Sequence, residues 1–382
     1  MKYLVFIFSV FLISCSRSSE EFGSGYFSTI QLKIDTVIID PGDKLLDLRS
    51  QILGSDISLD KKYLYNFNYF DHSIEKINLD ELRLEKKIPF EREGPNGTGD
   101  FMGGIRINSK NQFTIFGITQ TILFSLDGQK LRTISFKDFG FDYAEEIVSL
   151  PILDQEADRL YIVSSGLEER NYTLQILNLE SQGALGILTK SLDKLNEYIF
   201  TLKAANASVI FRPHTKIEKF ETKIILSNQI SNELIVFDTA VDSLFLKSYK
   251  SQLTSSIKAY NYQTLHETEE SLENEYSKFL QDINFLPPFW DEKNQVFYRF
   301  SYEEIKDQNE NNQEKKVNVY LTVFDRDFNW LGEAEVPQFN KISRDDFFAK
   351  FPKHFAKDGN IWIYKNIEDE LGFIVLELHK NK

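Results

Sequence analysis

The 382-residue chain has one cysteine, two methionines and nine prolines, and its 44 Lys+Arg are outnumbered by 58 Asp+Glu. A single thiol excludes an internal disulfide framework and any cysteine-rich metal cluster. A net charge of −14 argues against a nucleic-acid partner, which needs a basic face to displace counterions from phosphates. It argues equally against electrostatic docking on anionic lipid. The histidines (His72, His214, His266, His354 and His379) are scattered, with no HxH or HExxH spacing, so no metal site is called. No Gly-x-Ser-x-Gly elbow and no Ser/His/Asp set is present, so no catalytic residue is assigned, and no motif calls for a cofactor. What the chain has in quantity is aromatic side chains, with 33 Phe and 17 Tyr. With 42% hydrophobic and 27% charged residues, it reads as globular and biased towards pleated sheet.

The first residues carry an address. Met1-Lys2 is a short basic start, and Tyr3 to Ile13 is an apolar run too short to span a bilayer as a mature helix. The run ends in Leu12-Ile13-Ser14-Cys15, which looks like a bacterial lipobox, and the only thiol of the chain sits where a diacylglyceryl thioether would form. The expectation is a signal peptide over 1–14, lipidation of Cys15 with palmitate-type acyl chains, and a tether over 15–28. Several acyl chains anchor a protein stably, at about 0.8 kcal/mol per buried methylene. No Asp follows Cys15, and Glu20-Glu21 partly resembles the surface-export signal of Bacteroidota lipoproteins. An outer-membrane location is expected, with the leaflet left open. The other reading is an ordinary secretion signal with an accidental cysteine.

Past the tether the chain repeats itself. Alternating segments recur as Tyr63–Phe67, Ser73–Asp80 and Leu84–Phe90; Phe113–Gly117, Thr121–Gly128 and Leu131–Phe136; Leu160–Ser164, Thr173–Leu179 and Gly186–Thr189; Lys223–Ser227, Glu233–Asp238 and Leu244–Tyr249; Val296–Tyr302, Val317–Asp325 and Trp330–Val336; and Asn360–Lys365 with Gly372–Leu378. The sixth unit lacks a third strand, and Ile30–Ile39 has strand character without a partner. Ring closure joins the two and removes the open edges of a repeat array. The fold class expected is all-β: a six-bladed β-propeller over 29–382, closed by the N-terminal strand. Seven blades or an open array remain as alternatives.

Two insertions interrupt the repeats. Apolar residues at helical spacing in Ala259–Ile283 predict one amphipathic helix or two short ones. Glu303–Lys316 is a polar run that reads as a long hairpin loop. Ser343 before Asp345-Asp346 marks the cap of a short helix.

Few residues suggest a site. Phe90 to Phe101 holds Gly94, Pro95, Gly97 and Gly99, and must turn tightly. It is either a rim loop presenting Arg92, Glu93 and Asn96 to a polar ligand or a connector between blades. Arg212, His214 and Arg299 are the other polar candidates: an Arg on an innermost strand faces a ligand, and otherwise pairs with a carboxylate. Trp290, with Phe289 and Tyr298, is an aromatic sugar shelf or inter-blade packing. Asp325–Asn329 mimics a calcium loop but lacks Gly at the sixth position and Glu at the twelfth, so it is read as a turn.

The Arg92-Glu93-Gly94-Pro95 turn, the Pro287-Pro288-Phe289-Trp290-Asp291 stretch with Tyr298-Arg299, the repeats and the lipobox together resemble a Bacteroidota family of six-bladed propeller lipoproteins of unknown function, similar in shape to TolB-like propellers. The resemblance implies a fold and an envelope location and brings no catalytic residues. The expected function is a ligand- or protein-binding module on a lipid anchor. It is more a binder than an enzyme, is expected to be monomeric, and has an envelope protein or glycan as its possible partner. The alternative is a carbohydrate-active lyase or hydrolase with its site at the channel mouth.

Overall fold

The computed structural model describes residues 23–99, 103–108, 110–141, 145–154, 158–166, 170–203, 208–259, 261–306, 314–343 and 350–380. The signal peptide, Cys15, residues 15–22 of the tether, residues 307–313 of the polar loop and the capped segment 344–349 lie outside these.

The described chain is all-β, built from antiparallel sheets in sequence order. The first sheet joins Asp56–Ile57, Tyr63–Asn68, Ser73–Asn78 and Arg83–Pro89. The second joins Gly104–Ile107, Gln112–Phe116, Gln120–Ser125 and Lys130–Ser135. The third is centred on Arg159–Gly166 and Tyr172–Asn178, with Glu145–Ile147 and Ile152–Leu153 on one side and Gly183–Leu188 on the other. The fourth joins Thr215–Phe220, Lys223–Asn228, Leu234–Asp238 and Ser243–Lys247. The fifth is centred on Val296–Glu304, Glu314–Phe324 and Trp330–Glu335, with the short strands Asn284–Phe285 and Phe289–Asp291 before them. The sixth joins His354–Lys357, Asn360–Ile367 and Glu370–Lys380, and its fourth strand is the N-terminal Ile30–Ile38, paired from Ile30↔Lys380 to Ile38↔Gly372. Each expected strand of the six repeats is present, with ends shifted by a few residues.

The reading missed the first strand of each sheet. These strands are short, and Pro151 and Pro287-Pro288 stand between the short pieces of the third and fifth sheets, so they carry little periodicity. It also placed the end of the tether too late. Gly23–Gly25 already pairs with Trp330–Glu335, and a Cβ on Gly25 would fall 2.2 Å from the Leu331 carbonyl oxygen. Only glycine allows that approach.

The central strands are buried on both faces. Along Lys223–Asn228, Ile224 and Leu226 join a cluster shared with Tyr161 and Val163 of the third sheet, while Ile225 joins one shared with Phe297 and Phe324 of the fifth. Tyr65 and Phe67 of the first sheet meet Phe113 and Ile115 of the second. Leu123 and Ile134 of the second meet Leu160 and Ile162 of the third. Tyr298 and Phe300 of the fifth meet Ile361 and Ile363 of the sixth. Leu64 and Ile77 of the first sheet pack with Trp362, Tyr364 and Phe373 of the sixth.

The first half of the helical insertion is not a helix: Leu265–His266 pairs parallel with Phe200–Lys203 in a small three-stranded sheet. The helix runs Glu269–Gln281, and the Thr268 hydroxyl caps it by accepting from the Ser271 N–H at 3.2 Å. Leu272, Tyr276, Phe279 and Leu280 form its buried stripe against Phe200.

Phe113, fully buried, meets Tyr65 edge-on at 5.1 Å. Phe113→Ala is expected to lower stability by about 3–5 kcal/mol, read as a drop in urea midpoint at unchanged m-value.

Candidate functional site

One cavity, of 760 Å³, collects side chains from the starting edge of all six sheets. Asp56 and Ile57 come from the first strand of the first sheet, and Ile105 and Arg106 from that of the second. Leu150 stands just before Ile152–Leu153 of the third sheet, and Phe289 and Trp290 belong to a short leading strand of the fifth. Lys353 precedes, and His354 opens, the first strand of the sixth sheet. The fourth sheet contributes Thr215–Phe220, where alternation decides orientation. Thr215 and Ile217 are buried behind the strand, while Lys216, Glu218 and Phe220 line the cavity.

The charges on this wall are unequal. Lys61, Arg106, Arg212, Lys216, Lys219, Lys350 and Lys353 face Asp56 and Glu218. Both carboxylates are engaged. Arg106 grips Glu218 with Nη1 at 3.0 Å and Nη2 at 3.3 Å, and Nη2 also donates to the Ile217 carbonyl at 2.9 Å. Burial raises the Glu218 carboxyl, but the Arg106 guanidinium outweighs it and holds the group below its usual range. Asp56 accepts the Ile107 N–H at 2.9 Å and lies 3.9 Å from the Lys353 ammonium, which donates to the Ser55 carbonyl at 2.7 Å.

The Lys216 ammonium makes no hydrogen bond or ion pair among the described residues. Burial, then Arg106, Lys353 and Lys350, push its ammonium down to about 8. Burial, then Lys216 and Lys350, push His214 down to about 4. The His214 side chain is open to the cavity yet lies deep in the molecule, so its desolvation is that of confined solvent rather than of a dry core. His354 is also lowered to about 4, chiefly by burial; its Nδ1 lies 2.9 Å from the Pro352 carbonyl oxygen, and its ring sits edge-on to Phe300 at 5.2 Å.

Three of the residues singled out from sequence meet here: Arg212, His214 and Trp290. Trp290 is packed against Phe220 at 4.5 Å and Phe297 at 4.8 Å, so it serves inter-sheet packing while showing an edge to the cavity. Phe289 lines the cavity as well, but Tyr298 is wholly buried behind it.

Arg299 lies elsewhere. It is 1% exposed, and its guanidinium donates to the carbonyls of Leu286 at 2.7 Å, Asn232 at 2.7 Å and Ser231 at 3.3 Å. It ties the fourth sheet to the fifth through carbonyl oxygens rather than through the carboxylate expected, and burial lowers it to about 10.

Arg92, Glu93 and Asn96 sit on an exposed loop apart from the cavity. Arg92 Nη2 reaches back to the Tyr69 carbonyl at 3.4 Å, and the turn closes on itself through Thr98 N–H to Glu91 O at 2.9 Å. A Cβ at Gly97 would meet the Arg92 carbonyl oxygen at 2.6 Å, which explains the glycine. At Asp325 the carboxylate accepts the N–H groups of Asp327 and Asn329, both at 2.9 Å, as in a turn.

Residues 28–335 match a family described as a domain of unknown function, DUF4221. The chain belongs to the DUF4221 family. A crystal structure of a DUF4221 member from Bacteroides vulgatus is similar, with 14% identity and a TM-score of 0.66, over 92% of this chain and 99% of that one. Two other solved structures are similar at lower scores. A Bacteroides fragilis protein has 9% identity and a TM-score of 0.46, over 94% of this chain and 97% of its own. The β-propeller domain of Cps50 (Swd1) from Myceliophteria thermophila has 7% identity and a TM-score of 0.39, over 89% and 99%. No curated protein matches the sequence. The DUF4221 likeness at this identity fixes a fold and leaves the chemistry to the site.

The sequence reading missed Asp56, Arg106, Lys216, Glu218 and Lys353. A signal for two of them, Lys216 and Glu218, was Thr215–Phe220, whose alternation of these residues with Ile217 is a strand pattern with an unusually charged face.

Two outcomes are expected. Arg299→Met leaves carbonyls unsatisfied between two sheets and costs about 3 kcal/mol, seen as a lower melting temperature. His354 is lowered in the fold relative to its ordinary 6.5, so the unfolded chain binds the extra proton first on acidification. Its contribution is full above pH 6.5 and is lost as pH falls to about 4, by no more than about 3 kcal/mol. His354→Gln flattens that part of a stability-against-pH curve.

Proposed function

We propose that this chain is an outer-membrane lipoprotein, anchored through acyl chains on Cys15, whose propeller is a binding module for a small ligand held in the central cavity. The lipobox and the polar segment behind it support the anchor. Six consecutive sheets support six blades. The shared core of the first and sixth sheets, with Ile30–Ile38 lying beside Glu370–Lys380, supports closure of the ring by the N-terminal strand. The observation that carries the function is the cavity: 760 Å³ is the size of a small-molecule site, and its polar groups converge from separate sheets.

The exposed Arg92, Glu93 and Asn96 loop is the secondary candidate, as a contact for an envelope protein or glycan. The enzyme reading retains one supporting observation: the Lys216 amine, pushed to about 8, is within reach of general-base work near neutral pH.

Two measurements test the proposal. In the native host, labelling with an alkyne fatty acid is expected to mark the wild-type chain and not Cys15→Ala. In a thermal-shift screen of small molecules on the full chain carrying Cys15→Ala, a true ligand raises the melting temperature by a few degrees at saturation. The same ligand loses that effect when Leu53, on the cavity wall and partly exposed, is replaced by Trp. A ligand whose effect survives Leu53→Trp overturns the cavity as the site.

A further inference from the structure

We propose that the cavity selects a compact polyanion, a small molecule carrying at least two carboxylate or phosphate charges, held at Lys216 beside the ion-paired Arg106 and Lys353. The inference rests on the binding-module reading above and adds the chemistry of the ligand.

The argument starts from charge. The chain as a whole carries −14, yet among the described residues lysines and arginines on the cavity wall outnumber carboxylates seven to two. The two carboxylates are already spent, Glu218 on Arg106 and Asp56 beside Lys353. Lys61 and Lys216 face the cavity with no ion pair among the described residues. Like charges brought together in a desolvated cleft destabilise the fold, and such an arrangement marks a site that something of opposite charge completes. One wall carries a different chemistry: Phe220, Phe289 and Trp290 offer ring faces and edges rather than charge. A ligand with anionic groups at one end and a carbon skeleton at the other matches both walls.

Lys216 gives the proposal a signature. It faces Arg106, Lys350 and Lys353, with Glu218 two residues along its own strand, His214 just before that strand, and Lys61 and Asp56 on the same wall. Its amine sits near 8 without ligand because burial and those cations disfavour the charge. An anion reverses the balance and raises it. Binding therefore takes up a proton at pH 8 to 9, and affinity weakens as pH rises from 7 to 9, by about tenfold for a single linked proton. His214, lowered to about 4, stays neutral over that range and adds no slope.

The experiment is isothermal titration calorimetry on the full chain carrying Cys15→Ala, with citrate, pyrophosphate and neutral maltotriose as probes, in two buffers of different ionisation enthalpy. At least one anion is expected to bind, with proton uptake at pH 8.5 and about tenfold weaker affinity at pH 9 than at pH 7; which anion binds separates carboxylate from phosphate recognition. Lys216→Met is expected to weaken binding at least tenfold, and Lys216→Arg to keep affinity while losing the pH slope. Lys86→Met, on an exposed outer strand, is expected to change nothing. Binding of maltotriose but neither anion, lost with Leu53→Trp, overturns the polyanion and leaves the binding module standing. Binding of none of the three overturns the polyanion too, and the small-molecule screen then decides the module separately. Anion binding unmoved by Lys216→Met overturns the assignment to this cavity.

Discussion

A sheet with two apolar faces needs a neighbour on each side, and that requirement organises this molecule. Successive residues of a central strand point in opposite directions, and here both directions lead into packed core. Tyr161 and Val163 go one way, and Leu160 and Ile162 go the other. Ile361 and Ile363 face the fifth sheet, while Trp362 and Tyr364 face the first. A row of such sheets leaves a bare apolar face at each end unless the ends meet. Leu64 and Ile77 of the first sheet share one buried cluster with Trp362 and Phe373 of the sixth. Aromatic rings suit this task because a sheet-to-sheet gap of about 10 Å needs large side chains to fill it. The excess of phenylalanine in the composition is therefore a consequence of the architecture.

The same geometry separates structure from site. Central strands are mostly enclosed between sheets, and the outer strands, such as Gly183–Leu188, look mostly to solvent. The leading strands set one side on core and one on the cavity, joined there by the ends of central strands such as Ser227, Asn228 and Tyr302. Thr215–Phe220 displays this division within six residues, with Ile217 in the core and Lys216 and Glu218 on the cavity. Polar groups placed there converge from several sheets at no cost to the packing between sheets. Arg299 shows the contrary case: an arginine on a central strand is enclosed and becomes a cross-link between sheets through carbonyl oxygens.

This division also explains what could be read from the sequence. Central and outer strands carry long hydrophobic patterns and turn residues, so the repeats, the strand spans and the pairing of the N-terminal strand with the last strand were legible. The leading strands are two to six residues long, and Asp56–Ile57, Glu145–Ile147 and Phe289–Asp291 hold too few positions to show a period. Asp56, Arg106, Lys216 and Glu218 of the cavity stand on those strands, so these charged residues went unseen. Arg212, His214 and Trp290 were singled out by residue type, and residue type alone equally pointed to Arg92, on a loop apart from the cavity, and to Arg299, which is enclosed between two sheets. Charge was misleading in a similar way. A net −14 excludes a broad basic surface, yet it is silent about a basic interior.

An acidic exterior around a basic cavity is also a filter. Outside the protein, salt screens charge within about 8 Å under physiological conditions, so a small anion approaching the surface meets only weak repulsion. Inside a concave wall of low dielectric, screening by mobile ions is reduced and field lines are focused. The attraction of Lys216 and its neighbours is then felt by a molecule small enough to enter and is not felt by one that cannot. Nucleic acid and anionic membrane carry the right charge, but they present it on surfaces too large for a 760 Å³ space and meet the acidic exterior instead. In the proposed module size and charge act in sequence, the exterior turning away large polyanions and the cavity retaining compact ones. The same charge pattern thus supports both the exclusion of nucleic acid drawn from composition and the proposed polyanion drawn from the cavity wall.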